Sequence, residues 1–156
     1  MIEFTSRHNI NKKISTNSPK VTVGIPLYSS ARFIDTIIAN IEAIQKRGVE
    51  ILISDRHCKD NAIERLKQRC GDDSQIRFFK AQDELDWVGN INFLLQEAKG
   101  EYWRFLPHDD ISPIGSLEAL ISALDDNQDT ILAYDPTDAI DLDGIRLPQK
   151  DFRLPI

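Results

Sequence analysis

The sequence contains no hydrophobic run close to the roughly 18 residues that a membrane-spanning helix needs. Its first residues are polar and lack the apolar core of a signal peptide. We therefore expect no leader, no transmembrane segment and a cytoplasmic location. The only cysteines, Cys58 and Cys70, are too few for a disulfide framework and too far apart for a paired metal knuckle, so we expect free thiols.

Basic residues are also in short supply: 19 lysines and arginines face 25 acidic residues, which gives a formal net charge of -6. A protein that mainly binds nucleic acid usually presents a basic face, so this balance argues against a nucleic-acid partner. The sequence has neither internal repeats nor low-complexity tracts. Its 156 residues, 41% hydrophobic and 28% charged, are typical of one globular domain with a real core.

Apolar, β-rich runs alternate with amphipathic helical stretches along most of the chain. We predict strands over 21–27, 49–54, 75–80 and 130–134, a further strand that begins at 102 and ends before the acids at 109–110, helices over about 31–46, 60–70, 88–98 and 114–124, and a hairpin or bend over 138–146. This βαβαβαβαβ order predicts an α/β fold with a mostly parallel, doubly wound, Rossmann-like sheet and helices on both faces. Residues 1–20 are predicted to be a flexible or loosely docked arm, and 21–156 a single domain.

The most informative stretch is 102–110, which begins as an apolar-aromatic run predicted to be a strand and ends in two adjacent carboxylates, Asp109 and Asp110. Ligands of an open α/β sheet bind at the carboxyl ends of its strands. Adjacent carboxylates repel each other unless a cation or ligand compensates. Magnesium and manganese are commonly held by one or two carboxylates together with substrate phosphates. The competing interpretation is an exposed turn in which Asp110 or Ser112 caps the next helix.

Two other predicted strands also end in notable residues. Pro26 and Tyr28 follow the first strand, and Asp55 follows the second. Tyr28 either packs on the sheet edge or stacks on a flat ligand, and Asp55 either orders its loop or meets a ligand. Because the carboxyl ends of parallel strands share one edge, we expect these residues and the acid pair to line one crevice.

Local signals also mark the helix ends. Ser29 or Ser30 is expected to cap the first helix and Asp60 the second. Gly100 is expected to end the third helix. Trp87 is either a hydrophobic staple at the entry to that helix or a wall facing a ligand, and we favour the staple.

Taken in order, these motifs resemble those of the family 2 glycosyltransferases, which have the GT-A nucleotide-sugar-binding fold. Residues 21–28 resemble the family's first strand and its Pro-x-Tyr exit, and 50–55 followed by 60–61 its second strand, acidic exit and next helix start. Residues 92–102 resemble the lead into the metal strand, and 105–110 that strand with the ending Pro-His-Asp-Asp. The resemblance covers about 21–134.

The resemblance implies a donor domain that binds a nucleotide-diphosphate sugar, with UDP favoured, through Mn²⁺ or Mg²⁺ for transfer to an unknown acceptor. It implies that Pro26 and Tyr28 flank the nucleobase and that Asp55 sits near the base edge. It further implies that Asp109 and Asp110 reach the ribose or metal and the diphosphate, with Asp110 as the expected direct metal ligand.

The sequence departs from the family pattern at two places. Arg56 stands where a second acid is usual and His57-Cys58 where Gly-Ser is usual, so Arg56 is expected either to take part in base recognition or to meet a phosphate. Pro107 stands at the first position of the family's Asp-x-Asp motif, followed by His108. His108 either joins the site or is a neutral residue that orders the turn.

No acid in the chain matches the family's general base, the carboxylate that activates the acceptor hydroxyl in an inverting transferase. We therefore assign no catalytic residue and expect the acceptor-binding half to be absent. A non-catalytic nucleotide-sugar-binding or interaction module is the alternative. An unrelated phosphate-handling α/β enzyme is disfavoured, because there is no glycine-rich phosphate loop. An open sheet edge favours a homo-oligomer or a partner chain.

Overall fold

In the part of the chain that the structure describes, four parallel strands form one sheet, in the spatial order 76–80, 49–55, 21–27 and 102–105. The computed structural model describes residues 18–46, 48–55, 60–80, 86–141 and 144–148. The chain divides into two compact units, which we call the sheet unit (residues 1–115) and the C-terminal unit (residues 116–156). No helix in the described ranges combines the length and the apolar character needed to cross a membrane.

The elements alternate along the chain much as the hydrophobic pattern predicts. The sheet unit contains β1 (Val21–Leu27), a short 3₁₀ helix (Ala31–Phe33), α1 (Ile34–Ile44), β2 (Val49–Asp55), α2 (Ala62–Cys70), β3 (Ile76–Lys80), α3 (Trp87–Glu97) and β4 (Tyr102–Phe105). The C-terminal unit contains α4 (Ser116–Asp125). Cys70 carries a free thiol, and burial raises its pKa; Cys58 lies outside the described residues.

The central strand β1 pairs in parallel with both β2 and β4, so that Val21 lies opposite Val49 on one side and Tyr102 on the other. β2 is buried along its whole length, and β1 nearly so. Strands of this kind read as continuous apolar runs because both faces of a parallel sheet are covered by helices. The predicted parallel α/β sheet is confirmed.

Helices cover both faces of the sheet. α1 and α2 pack against each other, and five isoleucines of α1 at helical spacing are buried. α3 packs on β1 and β2, and its last turn meets Arg77 of β3 through two hydrogen bonds from the guanidinium. Right-handed crossovers place the helices that follow β1 and β2 on one face and the helix leading back to β4 on the other.

The predicted fifth strand at 130–134 is wrong. Those residues form no strand, and the side chain of Ile131 is 97% exposed. A β-rich composition becomes a strand only where a ladder partner and a packed face are available. The predicted bend nearby is confirmed by an antiparallel bridge between Ile140 and Arg146, although residues 142 and 143 at its tip lie outside the described ranges.

Two helix starts differ from their predictions. Ser30 makes no side-chain capping bond to the 3₁₀ helix; instead the Ala31 N–H donates to Oδ2 of Asp60 at 2.8 Å. Asp60 also accepts from the Ala62 N–H at 3.2 Å, as its predicted role at the start of α2 requires. Trp87 is largely exposed, so it is not a staple. Asp86 caps α3 by accepting from Gly89 N–H at 2.7 Å.

Gly100 does not end α3. The helix ends at Glu97, and Ala98 turns into extended backbone with φ −63° and ψ 136°. Gly100 instead lies directly against β1, where a Cβ would come within 2.4 Å of the Thr22 backbone nitrogen. Position 100 requires a glycine because two backbone segments approach closely there, and not because a helix ends there.

Candidate functional site

The exits of β1, β2 and β4 lie on one edge of the sheet because all three strands are parallel. Leu27 at the end of β1 lies opposite Asp55 at the end of β2. The chain after β4 stays beside β1, since the Leu106 N–H donates to the Gly24 carbonyl at 3.0 Å. β2 and β3 lie on one side of β1 and β4 on the other, so β1 and β4 flank the topological switch point where ligands of such sheets bind.

Tyr28 follows β1 with its side chain 73% exposed, which rules out the interpretation that it packs on the sheet edge. Its backbone N–H donates to Ser30 Oγ at 2.9 Å, and Ser29 between them has a positive φ of 47°. Ser30 is fully buried. This tight turn follows the half-buried Pro26 and leaves Tyr28 exposed.

Asp55 at the end of β2 is only 1% exposed. Arg56, the other candidate at this exit, lies outside the described residues. The loops that follow β1 and β2 are joined by Asp60, whose two carboxylate oxygens accept from Ala31 N–H and Ala62 N–H. Sequence reasoning identified Asp60 only as a cap for α2, because its bond to Ala31 crosses 29 positions of the chain.

The acid pair lies in the turn after β4, where the Asp110 N–H donates weakly to the Pro107 carbonyl at 3.4 Å. α4 begins only at Ser116, so neither Asp110 nor Ser112 occupies a helix N-cap position. Asp109 and Asp110 are both exposed. Partial burial and the neighbouring Asp109 charge raise the pKa of Asp110, and His108 opposes the shift. A cation at this turn would relieve the repulsion.

His108 is held against the 3₁₀ helix by a ring contact. Its imidazole meets Phe33 edge-to-face, with ring centroids 5.3 Å apart, and the Arg32 guanidinium lies over Phe33 at 4.5 Å. Such aromatic contacts stabilise a fixed orientation of both rings. The contact supports the interpretation of His108 as a residue that orders the turn.

The sequence reading missed Asn40 of α1, which is 3% exposed. Its Nδ2 donates to the Asp110 carbonyl at 2.7 Å, and its Oδ1 accepts from the Ser112 N–H at 2.8 Å. The available signal was a polar residue on the buried face of α1, three positions after Ile37 and four before Ile44. Buried amides usually have such partners, but the pattern does not say which.

Within the described residues, no group of three or more histidine, cysteine, aspartate or glutamate side chains converges as a metal site. A cation at this edge would therefore bind one or both carboxylates of the acid pair and complete its shell with ligand oxygens and water. Magnesium and manganese commonly bind in this way beside substrate phosphates.

Replacing Asp110 with asparagine is expected to stabilise the metal-free protein at neutral pH by less than about 1 kcal/mol. Because the folded-state pKa of Asp110 is raised, the folded protein keeps this proton to higher pH than the unfolded chain does. Ionisation of Asp110 therefore lowers stability as pH rises through the raised pKa, and the gain from asparagine should vanish at acid pH.

Urea unfolding in the presence of a chelator, at neutral pH and at the lowest pH where the protein stays folded, measures this difference. Asp72→Asn removes an exposed carboxylate of the turn after α2 and should show no such gain. A loss of stability in Asp110→Asn at neutral pH would contradict the prediction.

Residues 22–152 match glycosyl transferase family 2. An uncharacterized glycosyltransferase of Rickettsia felis is 31% identical over 152 residues, which cover 94% of this chain and 24% of that protein. The GalNAc(5)-diNAcBac-PP-undecaprenol beta-1,3-glucosyltransferase of Campylobacter jejuni is 29% identical over 104 residues, which cover 66% of this chain and 34% of that protein. The chain thus spans about a quarter to a third of the length of these relatives.

Solved structures show the same fold. S. aureus TarS 1-349 superposes with a TM-score of 0.63 at 17% identity, covering 70% of this chain and 33% of that one. The mannosyltransferase PcManGT of Pyrobaculum calidifontis, in complex with GDP-Man and Mn²⁺, superposes with a TM-score of 0.60 at 23% identity, covering 70% and 33%. The fold is that of the GT-A glycosyltransferases, and the chain belongs to glycosyl transferase family 2.

Proposed function

We propose that this chain forms the donor-binding part of a glycosyltransferase and binds a nucleotide-diphosphate sugar through a divalent cation. The observation that carries the proposal is the exposed acid pair after β4, beside β1 at the switch point of a family 2 fold. Two proteins with this fold support it: TarS has been solved with UDP-GlcNAc, and PcManGT with GDP-Man and Mn²⁺.

The nucleotide end of the donor is assigned to the exits of β1 and β2. The exposed ring of Tyr28 offers an aromatic face to the base, and Pro26 is assigned to flank the base as well. Stacking on such a face is favourable for any base and is therefore tolerant of base identity. Asp55 is placed near the base edge and Arg56 near the base or a phosphate. UDP is the favoured nucleotide.

The diphosphate end of the donor is assigned to the acid pair. Asp110, together with Asp109, holds Mn²⁺ or Mg²⁺, and this donor set fits because the two adjacent carboxylates repel each other until a cation binds. The bound cation supplies charge neutralisation of the diphosphate leaving group. Asp109 also reaches the ribose, while Phe33 and His108 keep the turn in place.

A binding module that does not transfer the sugar is the second candidate. Three described acids that follow α4 make local contacts: Asp135 accepts from the Ser116 hydroxyl, Asp138 pairs with Arg146 at 2.5 Å, and Asp141 accepts from Ile145 N–H at 2.8 Å. None of them is assigned as the general base that would activate an acceptor hydroxyl. Binding of the donor with neither transfer of the sugar nor hydrolysis of the donor would favour this candidate.

Calorimetric titration of UDP and GDP, each with and without Mn²⁺, tests the proposal on the wild type and on Asp110→Ala. We expect Mn²⁺-dependent binding of UDP by the wild type. Asp110→Ala should lower the Mn²⁺-dependent affinity at least about tenfold, since even outer partners of metal ligands contribute that much. Asp72→Ala is the matched control, because Asp72 lies in the turn that leads into β3, on the other side of the sheet from β4. Binding of neither nucleotide under any condition would overturn the proposal.

A further inference from the structure

We propose that Asn40 is a positioning residue that holds the acid pair for the cation and the diphosphate. The inference rests on the proposed donor-binding function and adds a residue of α1 to that site. Asn40 is buried, so it does not meet the ligand itself. It acts through the backbone of the loop, by donating to Asp110 C=O at 2.7 Å and accepting from Ser112 N–H at 2.8 Å.

The two bonds use both ends of a single amide, so they fix the backbone on either side of Ile111 at once. α1 provides a rigid base for them, because the isoleucines around Asn40 are buried. A side chain that is itself packed and hydrogen-bonded holds its partners more closely than an exposed one can. The loop therefore takes its position from α1.

The beginning of the loop is fixed independently. Leu106 is buried, and its N–H donates to the Gly24 carbonyl of β1 at 3.0 Å. His108 meets Phe33, which directly precedes α1, by the edge-to-face contact. The acid pair thus lies between the hydrogen bond of Leu106 to β1 and the two hydrogen bonds of the Asn40 amide, which we call the clamp.

This arrangement bears directly on cation binding. Two adjacent carboxylates repel each other, and a loop free to move would let them turn apart. The clamp keeps the Asp110 backbone in one place while its carboxylate stays exposed. Groups that orient metal ligands in this way typically change metal affinity by about 10 to 100-fold when they are removed.

The test uses the full chain and its Asn40→Ala variant. Manganese is titrated in the presence of UDP, and free Mn²⁺ is followed by electron paramagnetic resonance. We expect Asn40→Ala to weaken Mn²⁺ binding by about tenfold, with UDP affinity in the absence of metal unchanged. Hydrogen exchange of the Ser112 N–H, measured without ligand, should become faster in the same variant because its acceptor is lost.

Gln75→Ala is the matched control, since its amide also donates to backbone carbonyls, those of Lys46 and Val49, where β2 and β3 begin. It should leave both Mn²⁺ affinity and Ser112 exchange unchanged. If Asn40→Ala does not fold, Asn40→Leu keeps a side chain of similar size at this buried position and removes both hydrogen bonds to the loop without adding a charge. It should weaken Mn²⁺ binding as well.

The outcomes separate the two proposals. A folded Asn40 variant with unchanged Mn²⁺ affinity overturns the positioning role while the donor site stands. A wild type that binds no Mn²⁺ with UDP overturns the proposed function, and with it the positioning role, even if Ser112 exchange shows that Asn40 orders the loop. Equal weakening by Gln75→Ala shows general destabilisation and also overturns the inference.

Discussion

Replacing Glu50 with alanine is expected to lower the free energy of unfolding by about 3 kcal/mol, the lower end of the range for breaking a buried ion pair. Glu50 is a charged residue in a central strand, and it is only 7% exposed. Its Oε2 accepts from Thr22 Oγ1 at 2.7 Å and from the Lys99 N–H at 3.0 Å. Its Oε1 pairs with the Arg77 guanidinium at 3.0 Å.

These contacts link β1, β2 and β3 to the segment that leads into β4, so Glu50 connects three strands of the described sheet with the approach to the fourth. Removing the carboxylate leaves the buried Thr22 hydroxyl without its acceptor, and the Lys99 N–H keeps only the longer bond to Thr22 Oγ1 at 3.2 Å. A buried polar group without its partner is costly. Arg77 keeps Glu97 at 2.7 Å, which is why the lower end of the range is expected.

The measurement is urea unfolding followed by tryptophan fluorescence, which reports on the sheet unit because both tryptophans, Trp87 and Trp103, lie there. Glu101→Ala is the control. Its partner Lys20 also lies 3.0 Å away, but both side chains of this pair are 37% exposed, and exposed pairs contribute at most about 1 kcal/mol. Equal losses in the two variants would show that the burial of Glu50 is unimportant.

Gly100→Ala is expected to destabilise the sheet unit by about 3 kcal/mol, the upper end of the usual range for overpacking. A Cβ at this position would lie 2.4 Å from Thr22 N and 2.6 Å from the carbonyl carbon of Val21. Both atoms belong to the backbone of a central strand, so they cannot move aside. Gly100 is also held in place, because its N–H donates to Thr22 Oγ1 at 2.8 Å.

The same unfolding experiment measures this loss, with Lys99→Ala as the control. The Lys99 side chain is exposed, so its removal should change stability by no more than about 0.5 kcal/mol. Adding Thr22→Ala to Gly100→Ala should not restore stability, because the nearest atoms are backbone. Restoration would show that the clash is with the Thr22 side chain and would contradict the argument.

The placement of the candidate site was largely predictable from sequence. The apolar runs of β1 and β2 and the helical spacing of the isoleucines in α1 are local patterns, and burial imposes them residue by residue. Once the strands are known to be parallel, chain connectivity brings Tyr28, Asp55 and the acid pair to one edge. No further contact information is needed for that step.

The hydrogen bonds that hold the candidate site in place were not predictable in the same way. Asn40 and the acid loop lie 70 positions apart, and Asp60 reaches Ala31 across 29. A hydrogen bond of this kind depends on two segments that meet only after the sheet has formed. A buried asparagine in α1 shows that some partner exists but not which one.

Local sequence propensity also gave two wrong predictions, because it takes no account of which distant segments come into contact. Residues 130–134 have the composition of a strand but no ladder partner in the described structure, and Gly100 resembles a helix stop but is there to let two backbones approach. The sequence by itself determined the parallel α/β architecture, the family and the edge where the candidate site lies. Only the tertiary structure decided which side chains hold that edge in place, because those side chains form hydrogen bonds to segments that lie far away in the sequence.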